Sequence, residues 1–76
     1  MTFDHAVAER IRGICKTKGI SVSRLCLISG VLPSTIYEFL AGRTKSPTVA
    51  TLKLICDGVN MSLAEFFSED YFSEVK

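Results

Sequence analysis

Seventy-six residues, 47% of them hydrophobic, limit the chain to one domain close to the smallest size that supports its own core. No apolar run approaches the roughly eighteen residues of a membrane helix, and the opening MTFDHAV lacks the basic start and apolar stretch of a secretory leader, so a cytoplasmic protein is expected. The net charge of +1 conceals an asymmetry: from Arg10 to Lys53 eight basic residues stand against Glu38 alone, a local charge of +7, and both flanks are acidic.

Thr2 or Asp4 can cap a first helix running to about Lys18, with Val7, Ile11, Ile14 and Cys15 as its buried stripe and Gly19 as its stop. Arg10, Arg12, Lys16 and Lys18 then lie on or beside its solvent faces, where solubility is their simplest role. Ser21 caps a second helix that can run only to Ser29, with Leu25 and Ile28 three apart on one side and Gly30 closing it. Pro33, whose φ is fixed and whose missing N–H wastes no bond at a helix start, opens a third helix to Leu40. Its apolar positions Ile36, Phe39 and Leu40 turn Ser34, Thr35, Tyr37 and Glu38 to the opposite side, and Gly42 ends it. After the loop GRTKSP, Thr48 caps a fourth helix to about Gly58, with Val49, Leu52, Leu54, Ile55 and Cys56 supplying apolar faces. Asn60, Met61 and Ser62 form the next break, and Ser62 with Glu65 fits the S-x-x-E capping box of a fifth helix from Leu63. The expected fold is an all-α, compact five-helix bundle.

Two short helices with a tight Gly-containing turn between them, within residues 21–41, match a DNA-binding helix-turn-helix. In that motif the second helix enters the major groove and presents its first residues to base edges. The basic middle and acidic end fit a protein that offers one face to phosphate. A mixed solvated surface would carry the same charges.

Four strings extend the match: AERIRGICKTKGIS, LCLISGV, STIYEFLAGRTKSP and TLKLICDGVNMSLAEFF. In this order and spacing the chain resembles the lambda-type repressor and Cro family of helix-turn-helix proteins from about residue 8 to 67. The resemblance implies that Leu32, Pro33, Ser34, Tyr37 and Glu38 approach bases or the groove wall. Ser34 and Thr35 can donate to or accept from bases or phosphates, and the Tyr37 ring can lie against a thymine methyl while its hydroxyl reaches phosphate. Glu38 either accepts from cytosine N4 or pairs with Arg43 or Lys45. Leu32 either touches a thymine methyl or covers the helix start. Ser21 and the loop residues Arg43, Thr44, Lys45 and Ser46 are donors of the kind that fix register on phosphate.

Two departures from the family are informative. Most relatives carry a glutamine just after the cap, and this chain has Val22. Many bury an Arg–Glu pair where Cys15 and Leu40 stand here; apolar replacement of both partners is often neutral or stabilising, so an intact core is expected.

Beyond Phe67 the resemblance thins. Leu63, Phe67, Tyr71 and Val75 fall four apart, with Phe72 beside them, more aromatic surface than so short a chain needs. Residues 63–76 are therefore a possible dimerisation segment, with Phe66, Phe67, Tyr71, Phe72 and Val75 as twofold interface residues. The alternative is a segment folded back on its own core.

Catalysis and cofactors find little support. His5 is the single histidine, and Cys15, Cys26 and Cys56 have no metal-ligand spacing and sit in apolar helical patterns, as reduced buried thiols do. The chain is thus expected to be no enzyme, to need no cofactor, metal or small-molecule substrate, and to regulate transcription by binding double-stranded DNA as a homodimer. Repression is the commoner outcome in the family, because occupying an operator suffices. The competing expectation is a protein-interaction module, anti-repressor or antitoxin-like, favoured by Val22, by Leu27 and Leu32 and by Glu38 on the reading side.

Overall fold

The computed structural model describes residues 1–75; Lys76, the last residue of the segment assigned to dimerisation, lies outside the described residues. Among the described residues five α-helices follow one another, α1 (Phe3–Lys18), α2 (Val22–Ser29), α3 (Pro33–Leu40), α4 (Val49–Gly58) and α5 (Leu63–Phe66), and a 3-10 helix (Asp70–Glu74) comes last. The described residues contain no strand. None of these helices is long and apolar enough to cross a membrane.

Each start is fixed locally. Thr2, Ser21, Thr48 and Ser62 accept the backbone N–H three residues on, so four helices carry a side-chain cap. At α5 the box is complete: the Ser62 hydroxyl accepts from the Glu65 N–H at 3.0 Å, and the Glu65 carboxylate accepts from the Ser62 N–H at 2.9 Å. The Ser62 backbone N–H, and after it the Ser62 hydroxyl, hold the Glu65 carboxyl below its ordinary range. The ends are equally local. After α2 the Val31 N–H reaches the Cys26 carbonyl at 3.0 Å around Gly30, whose φ of 70° disfavours any residue with a Cβ. Asn60 plays the same part after α4, with φ 57° and the Met61 N–H on the Cys56 carbonyl. The fourth helix is therefore stopped at Asn60, two residues beyond Gly58.

The core joins Val7, Ile11 and Ile14 of α1 to Leu25 and Cys26, Ile36 and Phe39, Leu52 and Ile55, and Phe66. Cys15 is buried and Leu40 packs against this cluster, so the positions read as a lost ion pair are apolar contacts. All three cysteines are buried, and burial raises each thiol above its ordinary value. Ile28 departs from the sequence reading: it is 41% exposed, and Ser29 is the residue that turns inward beside Leu25. The reason is the crossing of α2 over α4. A Cβ on Gly58 would stand 3.0 Å from the Ser29 Cα and closer still to its hydroxyl, so the helices touch where only small residues fit. Val49 and Leu54, expected on apolar faces, are also exposed.

The C-terminal segment corrects the expectation most. The four-residue stripe is no helical face, because α5 ends at Phe66 and the chain turns back on itself. Phe66 is fully buried, and Phe67 and Phe72 pack against the core at centroid distances of 4.9 Å (Phe66–Phe67) and 5.0 Å (Phe67–Phe72). Phe3 completes the group, 6.2 Å from Phe67 and 6.4 Å from Phe72. Phe66 thus has no surface to give a second copy, and the interface assigned to it is corrected to a core position. Tyr71 and Val75 remain half-buried.

Arg10, read as a solvent-face residue, is the fastener of this arrangement. Its guanidinium donates to the Phe66 carbonyl at 2.7 Å, the Glu65 carbonyl at 2.9 Å and the Glu69 carboxylate at 3.1 Å, and lies 5.8 Å from the Phe66 ring centre. Only 13% of its side chain is exposed. Replacing it with an unbranched apolar side chain, Arg10→Met, should cost about 3 kcal/mol in urea unfolding, because the α5 carbonyls lose a charged donor. Gly58→Ala should cost about 2 kcal/mol by forcing α2 from α4. Ser29→Ala, which removes a buried hydroxyl without a partner, should leave the midpoint unchanged or raised.

Candidate nucleic-acid interface

The geometry of α3 is set by what it buries. Ile36 and Phe39 point into the core, so Ser34, Thr35 and Tyr37 are exposed and Glu38 is half-exposed. Pro33 stands at the first helical position and Leu32 before it, with no side-chain cap, so the helix N-terminus is left open to solvent. Leu32 is 72% exposed and Leu27, on α2, 70%.

Two contacts hold α3 in place from outside the core. The Tyr37 hydroxyl and the Ser23 hydroxyl on α2 are 2.9 Å apart and share a hydrogen bond, tying the two helices of the motif together. Arg12 of α1 donates to the Leu40 carbonyl at 2.9 Å, filling an acceptor at the end of α3, and also reaches Glu9. Neither Ser23 nor Arg12 was legible as a positioning residue, since their partners lie 14 and 28 positions away. Tyr37 was read as free to reach DNA; its hydroxyl already has a partner on the protein.

The loop after α3 is exposed at Arg43, Thr44 and Lys45, while Ser46 and Pro47 are half-buried. Arg43 donates to the Glu38 carboxylate at 3.2 Å, so of the two roles open to Glu38 the free protein displays the ion pair. Ser21 is exposed, and its hydroxyl accepts from the Arg24 N–H at 3.0 Å. Of the eight cations in the basic middle, Arg10 and Arg12 are bound to carbonyls and acids, Arg43 to Glu38 and Lys53 to Asp57. Lys16, Lys18, Arg24 and Lys45 make no ion pair among the described residues. No group of three or more His, Cys, Asp or Glu residues that could hold a metal occurs among them.

Comparison with known proteins agrees with this geometry. Residues 10–68 match the model of the Cro/C1-type HTH DNA-binding domain. The fold is similar to that of an HTH_3 family transcriptional regulator from Vibrio cholerae, at 29% identity and a TM-score of 0.78, over 90% of this chain and 38% of that one. The chain thus spans well under half of that regulator. It is also similar to prophage Lp1 protein 11, at 25% identity and a TM-score of 0.85, over 99% of both chains. No curated protein matches it. With an exposed third helix, a fixed turn before it, a basic loop after it and a family model spanning most of its length, the chain belongs to the Cro/C1-type helix-turn-helix DNA-binding domains.

Proposed function

We propose that the protein is a sequence-specific regulator of transcription that binds double-stranded DNA as a homodimer and represses by occupying its operator. The observation that carries this reading is the placement of α3. Its inner side is locked by Ile36 and Phe39, while Ser34 and Thr35 stand exposed on the open first turn. A helix held so can be inserted into a major groove without reorganisation. In this reading Leu32, Pro33, Ser34, Thr35, Tyr37 and Glu38 face the groove, and Ser21, Arg43, Thr44, Lys45 and Ser46 face the phosphates.

Dimerisation follows from recognition geometry: one eight-residue helix reads few base pairs, and two copies on a two-part site double the contacts. Tyr71 and Val75, with the outer edges of Phe67 and Phe72, are the surface we assign to the second copy. Repression is the outcome that occupancy alone produces; this step is fold-level analogy. The similarity to the HTH_3 family transcriptional regulator from Vibrio cholerae supports a regulatory role.

A second reading has its own observation. Leu27 and Leu32 are both exposed within the motif, as a protein-interaction module would display them.

Salt separates the two. Binding of a dimer to a duplex selected from a random pool, through about three or four phosphates per subunit, should give a log-log salt slope of roughly −5 to −7. A complex held by Leu27 and Leu32 should barely respond to salt. The variant Arg43→Ala with Lys45→Ala should weaken binding to the selected duplex and flatten the slope by about 3 to 4 for a dimer. Unchanged affinity would overturn the phosphate role of the loop, and a monomeric mass at saturation would overturn the dimer.

A further inference from the structure

We propose that Glu38 is a specificity-determining residue that acts by holding Arg43 off the DNA backbone until a base edge takes the carboxylate. This inference rests on the DNA-binding reading above and names how its surface discriminates.

The pair is built by the way α3 ends. Gly42, at φ 78°, turns the chain so that its own N–H meets the Phe39 carbonyl and the Arg43 N–H meets the Glu38 carbonyl, each at 2.9 Å. That second bond sets residue 43 directly over residue 38, and the Arg43 guanidinium closes on the Glu38 carboxylate at 3.2 Å. The backbone thus brings the two side chains within reach of each other. Glu38 is also the single acid among the residues from Arg10 to Lys53, and it lies one helical turn beyond Ser34 on α3. An acid there is a liability unless it has a purpose.

Both partners are accessible, with Arg43 69% and Glu38 45% exposed, so each can leave the other at little cost. Each also has an alternative at a DNA surface. Arg43 can donate to a phosphate, and Glu38 can accept from the amino group of cytosine. The alternatives are coupled. On a duplex without a cytosine in reach, moving Arg43 to phosphate strands Glu38 in a negative field, so the arginine stays where it is. With a cytosine amino group in reach, both exchanges occur together, and two charge-assisted contacts replace one. A phosphate contact, which alone carries no sequence information, becomes conditional on the base.

The test compares wild type with Glu38→Gln on random duplex and on a duplex selected by the wild type from a random pool. Glu38→Gln should bind random duplex about fivefold tighter per subunit, the most an exposed ion pair is worth. Its salt slope should steepen by about 0.9 per subunit as Arg43 reaches phosphate, and its preference for the selected duplex should fall. In an Arg43→Ala background the change in slope should vanish. Unchanged affinity and slope in Glu38→Gln, with salt-sensitive binding by the wild type, would overturn this inference and leave the DNA reading standing. The same slope change in the Arg43→Ala background would also overturn it. No binding by either protein at low salt would overturn the DNA reading, and this inference with it.

Discussion

A single guanidinium ties the two ends of this chain together. Short helices leave carbonyls without partners at their C-termini, and a chain of this size has little core to offset that cost. Arg10 answers it for α5, placing its donors on the Glu65 and Phe66 carbonyls from the middle of α1. Once that segment is fastened, Phe66 fills the core and Phe67, Phe72 and Phe3 close over it. Arg12, two residues on, does the same for the end of α3 through the Leu40 carbonyl. The longest helix thus serves as a rail on which both the terminal segment and α3 are hung.

This use of arginine changes the meaning of the charge pattern. The basic middle of the chain looks like one positive surface when read as a string. In three dimensions half of its cations are engaged by the protein itself, two of them as structural donors to carbonyls. What remains without an ion pair among the described residues is a smaller set, Lys16, Lys18, Arg24 and Lys45. Net charge over a segment measures potential, and pairing decides how much of it reaches a partner.

What was legible in the sequence was local. Ser21, Thr48 and Ser62 each bond within three residues, so the starts of three helices could be read from spacing alone, while of the two caps open to α1 the structure uses Thr2 and not Asp4. Pro33 and Gly30 marked the turn for the same reason, and the exposed side of α3 followed from Ile36 and Phe39. The errors were long-range. Arg10 meets partners more than 50 positions away, which no periodicity reveals. Ile28 looked like an inner residue because it is apolar, but the inner position is chosen by the glycine opposite, on another helix. The aromatic run was read as surplus because Phe3 and the fold-back that brings it to Phe67 and Phe72 are visible only once the chain has closed.

The touching point of α2 and α4 has an evolutionary consequence. Ser29 and Gly58 share a space that holds one small side chain and no more, so neither position is free to drift alone. Among related sequences the two should exchange size reciprocally, a larger residue at one accompanied by a smaller one at the other. Wherever both grow, α2 must tilt, and because α2 leads into the turn before α3, the angle of α3 would tilt with it. A pair of residues between two buried helix faces thus becomes a means by which relatives with the same exposed residues on α3 can come to present them at different angles.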